Sequence, residues 1–261
     1  MKDHKWIERN GKRLSAMIHM PELVVENPPV VILCHGFTGE KVGGNQFVLG
    51  LANAVEAAGF AAVRFDFSGS GESAGEFARD TTISGWKDDL NTVVEWVHEQ
   101  PAFQKSPIYV LGHSLGGCIA LLHDDTKIPV AGRIALAPVI HPRENFHDII
   151  LGPELWAAAE SGETISHFYG KAMSLQPDFV RDLIEKGHAP IKASKNYENP
   201  VLLIHGTADT AVPAEGSEQF AQAYEGRVDL FLMEEADHSF ARQVGELQEK
   251  IVDWLTEQSN S

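Results

Sequence analysis

Three side chains spread along the chain could together turn a weak nucleophile into a strong one: Ser114, Asp209 and His238. Ser114 sits in Ile108-Tyr109-Val110-Leu111-Gly112-His113-Ser114-Leu115-Gly116-Gly117, where a β-branched run stops abruptly at Gly-His-Ser-Leu-Gly. Apolar residues resume at once in Cys118, Ile119, Ala120 and Leu121. That pattern predicts a strand, a sharp turn and a helix, with the serine hydroxyl raised clear on a strained backbone. Gly112 and Gly116 flank it because a Cβ there would strike the neighbouring strand or helix. A serine hydroxyl at neutral pH needs a base, and a histidine base needs a carboxylate to hold its tautomer.

Both partners follow in the chain. Val201 to Ile204 reads as a strand that runs into a loop carrying Asp209. Val228 to Met233 reads as another, leading to Asp237-His238-Ser239. Catalytic groups of open α/β sheets gather beyond the carboxyl ends of strands, so Asp209 and His238 are expected at one edge with Ser114. Asp237 competes as the acid, but adjacent side chains seldom point at one another, which favours Asp209. Two backbone N–H groups would hold a developing oxyanion. Leu115, next to the serine, should supply one, and Phe37 in His35-Gly36-Phe37-Thr38-Gly39 the other.

The elements that must position these groups alternate. A hairpin is expected around Asn10-Gly11, then strands at Val30–Cys34, Ala61–Phe65, Ile108–Leu111, Gly132–Leu136, Val201–Ile204 and Val228–Met233. Helical spacing appears over 47–58, 83–98, after Ser114, over 214–224 and from about Phe240 to Thr256. Continuous apolar strands alternating with helices imply a mostly parallel, doubly wound α/β sheet covered on both faces. Residues 1–138 and 198–261 would form this core, and 139–197 an insertion folded over it, because a crossover needs far fewer residues. Pro153 to Glu160 and Pro177 to Lys186 read as helices of that insertion. Within it, Trp156 and Tyr169 could line a substrate pocket, with Phe37 walling the acyl side.

Composition excludes several roles. The 261 residues carry a formal charge of −16, which argues against non-specific binding to nucleic acid or anionic membranes. Hydrophobic residues make up 43% of the chain, enough for a core. Cys34 and Cys118 lie in apolar runs and read as buried free thiols. No secretory signal or membrane span is visible, so a cytoplasmic setting is expected. Gly69-Ser70-Gly71 lacks the helix a dinucleotide site needs, and no histidine spacing suits a metal. The expected cofactor and metal content is none. The expected partner is a small-molecule ester, and a homodimer is left open.

His35-Gly36-Phe37, Asp66-Phe67-Ser68-Gly69-Ser70-Gly71-Glu72-Ser73, Gly112-His113-Ser114-Leu115-Gly116-Gly117, His205-Gly206-Thr207-Ala208-Asp209 and Ala236-Asp237-His238 occur in the order of the α/β-hydrolase superfamily. The chain resembles that superfamily over its whole length except the insertion. Within it, the chain is most similar to bacterial feruloyl (cinnamoyl) esterases, through the His-Gly-Phe-Thr-Gly loop, the Arg-Phe-Asp-Phe segment and an insertion between the sixth and seventh core strands. One departure is Leu115, where such esterases often carry Gln. The resemblance implies a cofactor-independent serine esterase with Ser114 as nucleophile, His238 as base and Asp209 as its orienting acid. General carboxylesterases, monoacylglycerol lipase-like enzymes, thioesterases, amidases and peptidases share these motifs, and a non-catalytic binding protein is the remaining alternative. Dehalogenases and epoxide hydrolases place Asp where Ser114 stands.

Overall fold

The β-branched run Val30–Cys34 forms β3, buried along its whole length among parallel neighbours. The computed structural model describes residues 1–9, 11–22, 26–170 and 172–260. Strands β1 (Lys2–Arg9) and β2 (Lys12–His19) make the expected hairpin, pairing Arg9 with Lys12. Asn10 of the turn dipeptide lies outside the described residues, and Gly11 takes φ +75°.

After β3 come α1 (Phe47–Ala57), β4 (Ala61–Phe65), the short α2 (Phe77–Asp80) and α3 (Ile83–Glu99). Strand β5 (Ile108–His113), helix α4 (Leu115–Leu121) and β6 (Gly132–Leu136) follow. The 139–197 stretch holds α5 (Pro142–Asn145), a π-turn (Phe146–Ile150), α6 (Gly152–Glu160), the two-stranded β7 (Ile165–Ser166) and β8 (Ser174–Leu175), α7 (Asp178–Lys186) and α8 (Pro190–Ala193). The chain then returns as β9 (Val201–Gly206), α9 (Glu215–Ala223), β10 (Val228–Met233) and α10 (Val244–Ser259). The last helix starts later than the sequence suggests. Phe240 has φ +53° and belongs to a turn that carries the chain from His238 to α10.

The main sheet has eight strands in the order β1-β2-β4-β3-β5-β6-β9-β10. Pairing is antiparallel from β1 through β2 to β4 and parallel from β4 to β10. Alternate residues of β3 enter opposite cores. Val30, Ile32 and Cys34 join α3 and α4, whereas Val31 and Leu33 join α1 and α10. On the α3 face, Trp86, Leu90, Val93 and Val97 are buried at helical spacing. Thr82 caps that helix by accepting the Gly85 N–H at 2.9 Å.

Residues of the 139–197 segment join the same α3-side core, among them Phe146, Trp156, Phe168 and Phe179. A polar clasp fixes the junction. Asp182 on α7 accepts the Ser84 N–H at 3.0 Å and its hydroxyl at 2.5 Å, and His188 Nε2 at 2.9 Å. The carboxylate thus meets an amide of the first turn of α3, where negative charge is favoured. At the far edge of the sheet, β10 leaves Phe231 and Leu232 exposed. Among the described residues no helix is long and apolar enough to cross a membrane.

Candidate active site

Ser114 stands between β5 and α4 with φ 58° and ψ −121°, a conformation few side chains tolerate. The backbone around it is fixed by close packing. A Cβ on Gly112 would lie 2.1 Å from the Gly116 carbonyl oxygen, and one on Gly116 would lie 2.4 Å from those of Cys34 and His35. Strand, turn and helix can meet here only through glycine. The Ser114 N–H donates to the Leu136 carbonyl at 2.8 Å, and its own carbonyl accepts the Cys118 N–H at 3.1 Å.

Leu115 opens α4, so its N–H lies among the helix-start amides that have no intrahelical partner. The loop holding Phe37 is pressed against the serine, since a Cβ on Gly36 would stand 3.1 Å from the Ser114 Cβ. His35 anchors this loop from below. Its Nδ1–H donates to the Gly36 carbonyl at 2.9 Å and its Nε2 accepts the Phe67 N–H at 3.2 Å. Burial pushes the His35 imidazole below its usual range, in keeping with this neutral tautomer.

Asp209 lies beyond β9 with a fully buried side chain. Its Oδ2 is 2.7 Å from His238 Nδ1 and 3.3 Å from His205 Nε2. Its Oδ1 accepts the N–H groups of Ala211 and Val212, each at 2.9 Å. Burial opposes ionisation, but the bonds from His205, His238 and Val212 outweigh it and hold the carboxyl well below the usual range. His205 Nε2 faces two acceptors, Asp209 and the Val212 carbonyl at 2.9 Å, so it carries the proton. Its Nδ1 lies 2.7 Å from the Ser217 hydroxyl. Asp237 instead closes the turn after it, accepting from the Ser239 N–H at 3.0 Å and its hydroxyl at 2.8 Å.

His113 holds the loop of His238 from the other side. Its Nε2–H donates to the His238 carbonyl at 2.8 Å, with the two rings 4.8 Å apart. Burial, then the neighbouring His238, push its imidazole down to about 3. Nothing in the local sequence marks this role, although His113 directly precedes the serine. A second unmarked feature is Lys41, buried where its Nζ meets Asp66 Oδ2 and Glu72 Oε2, each at 2.6 Å. The Lys41 N–H also donates to Asp66 Oδ1 at 2.6 Å, tying the Gly36 loop to the loop after β4.

Ser114, His113 and His238 line one cavity of about 600 Å³, together with Phe37. Most of its wall comes from residues 35–50 and 238–244, and from the 139–197 segment only Ile150 contributes among the described residues. Trp156 is buried in the α3-side core, off this wall. The Tyr169 side chain lies outside the described residues. Cys118 and Cys34 are buried free thiols, and burial pushes both well above the usual thiol range. Among the described residues no group of His, Cys, Asp and Glu could hold a metal ion.

The Hydrolase_4 family (serine aminopeptidase, S33) matches residues 26–173, and the prolyl oligopeptidase family matches 151–261. An uncharacterised 31.7 kDa protein of the traX-finO intergenic region of Escherichia coli is 36% identical over 115 residues, 44% of this chain. The match spans 37% of that protein's length. The monoacylglycerol lipase of Mycolicibacterium smegmatis is 26% identical over 82% of this chain and 81% of its own. Among solved structures, Est1E of Butyrivibrio proteoclasticus with bound ferulic acid superposes with a TM-score of 0.85 at 24% identity. That likeness covers 98% of this chain and all of the other, and is one of fold. With the sheet order, the turn at Ser114 and the match over 26–173, the chain belongs to the Hydrolase_4 (serine aminopeptidase, S33) family of α/β-hydrolases.

Proposed function

We propose that this chain is a serine carboxylic-ester hydrolase working through Ser114, His238 and Asp209. The observation that carries the reading is the 2.7 Å contact between His238 Nδ1 and the buried Asp209 carboxylate, with His238 and Ser114 on one cavity wall. Asp209 keeps the proton on Nδ1, which leaves Nε2 free to accept one. Ser114 Oγ then attacks the ester carbonyl as His238 takes its proton. The oxyanion rests on the N–H groups of Phe37 and Leu115. Collapse of this intermediate expels the alcohol, which takes the proton from His238. Water enters by the same relay and releases the acid, restoring Ser114.

Small or aromatic esters of the feruloyl and cinnamoyl type are the proposed substrates. The Gly36 loop and the Asp66–Ser73 segment of the sequence support that choice, as does a cavity within the usual size of small-molecule sites. In this reading 139–197 is a lid packed onto the core, and the substrate is met in the cytoplasm. A second reading, a monoacylglycerol lipase-like esterase, draws on the Mycolicibacterium smegmatis relative. Thioester and amide substrates fit the same triad.

Labelling with a fluorophosphonate, read by mass spectrometry, tests the nucleophile. Ser114 should carry the label, and Ser114→Ala should lose both label and turnover of nitrophenyl esters while keeping its fold. Unlabelled wild-type protein would sink the reading in favour of a binding module. Matched acetyl, butyryl, octanoyl and feruloyl esters, with one amide and one thioester, separate the substrate classes.

A further inference from the structure

The two sides of Phe37 differ. On the α3 side its ring is enclosed by Phe77, Phe146, Phe168 and Phe179, at centroid distances of 5.5, 5.0, 5.6 and 5.5 Å. The last three are buried to within 1%. The space beneath the 139–197 segment is therefore filled by the protein's own aromatic rings, with contact geometry typical of a packed core. On the α1 and α10 side lies the cavity of about 600 Å³.

That cavity has a polar rim, where the exposed residues Asn45 and Gln46 stand. Glu40 Oε2 accepts the Val42 N–H at 2.8 Å and Oε1 the Gly43 N–H at 2.9 Å, which fixes the turn before α1. Asn45 and Gln46 follow in consecutive left-handed conformations, φ 53° and 61°. A left-handed backbone is uncommon for a residue with a side chain, and here two follow one another. The Gln46 N–H donates to the Gly43 carbonyl at 3.0 Å, and both Asn45 and Gln46 line the cavity. No Asp, Glu, Lys or Arg stands on the wall among the described residues. Thr38 and Ser239 add hydroxyls to the same wall, beside Ser114 and the histidines.

We infer that the distinguishing group of the substrate, an uncharged hydroxylated aromatic ring, is recognised on the α1 side of Ser114, with Asn45 and Gln46 as specificity-determining residues. The inference rests on the proposed esterase reading and adds to it where and by what the ring is held. A carboxamide offers both donors and an acceptor, so it can meet a phenolic hydroxyl in either sense. A charged ring would find no counter-ion on this wall among the described residues.

The test compares kcat/KM for methyl 4-hydroxycinnamate and methyl cinnamate, which differ by a single ring hydroxyl. Asn45→Gly and Gln46→Gly are the chosen variants, because glycine keeps the left-handed backbone at no steric cost. The wild type should prefer the hydroxylated ester, and each glycine variant should reduce that preference by about tenfold, as expected when a site loses a hydrogen bond to a substrate hydroxyl. Trp156→Phe, off the wall, should leave the preference as it was. A preference unmoved by both glycine variants, or one lost in Trp156→Phe, would overturn the inference. So would a wild type indifferent to the hydroxyl. Fluorophosphonate labelling of Ser114 separates the two failures: a labelled enzyme with an unmoved preference refutes only the ring site, whereas an unlabelled one refutes the esterase reading.

Discussion

Gly36 and Ser114 are in contact through the smallest side of each residue, leaving 3.1 Å for a Cβ that the glycine does not have. The contact fixes how closely the loop that carries Phe37 approaches the serine. Gly36→Ala would force the loop away by a few tenths of an ångström, since the same Cβ would also meet the His113 carbonyl at 3.3 Å. We expect kcat on nitrophenyl esters to fall by about 10²–10³, the scale of a lost oxyanion donor, with the melting temperature little changed. Full activity in this variant would remove Phe37 from the mechanism.

The two carboxylates flanking His238 should separate cleanly. Asp209→Asn replaces the acceptor of the Nδ1 proton, and kcat is expected to drop on the order of 10⁴, by analogy with Ser-His-Asp enzymes. Asp237→Asn alters only the turn at Ser239 and should stay within about threefold of wild type, as surface substitutions usually do. Steady-state kinetics on both variants decide. The opposite order would reassign the acid.

Acid should loosen this fold before it protonates the carboxylates. His113 has a folded value pushed down to about 3 from an ordinary 6.5. An unfolded chain therefore binds a proton that the native one refuses, and stability is complete above 6.5 and lost as the pH falls toward 3. Burial pushes His19, His35 and His123 in the same direction. Urea unfolding should show a falling ΔG from about pH 6.5 downward, with a shallower slope in His113→Gln. Identical slopes would mean that His113 titrates normally.

Lys41 and Asp66 form a buried pair, so removing one partner strands the other. Lys41→Met is expected to cost about 3–5 kcal/mol in urea unfolding, and adding Asp66→Asn should recover part of it. Glu72→Gln, whose side chain is largely exposed, should leave stability close to that of the wild type. A silent Lys41→Met would show that the pair contributes no net stability.

Much of this architecture was readable from residue order because its signals are local. Val30–Cys34 and Ala61–Phe65 are unbroken apolar runs, and they are the strands buried on both faces. Gly112 and Gly116 announce a crossing of backbones that the structure contains. The placement of the cavity was not readable. Beside Phe37, Ser114 and His238, its wall includes Asn45, Gln46, Ser239 and Val244, loop and helix-start residues without periodicity that meet only after the sheet assembles. The aromatics of 139–197 carried the opposite hint. Trp156, Phe168 and Phe179 have the composition of a binding pocket, and sequence cannot tell a ring that meets a ligand from one that meets another ring. Lys41 gives no local signal for a related reason, because its partner lies 25 positions away and a lysine is ordinarily a surface residue.

The shared phenylalanine core has a consequence for recombination. Because Phe146, Phe168 and Phe179 close around Phe37, the 139–197 segment cannot be excised or exchanged as a self-contained cassette. Deleting it would uncover the loop beside Ser114. A segment transplanted from a relative would have to bring rings of matching size, or be accompanied by a change at position 37. Segment and loop are thus constrained to vary as a unit, even though more than a hundred residues separate Phe37 from Phe179.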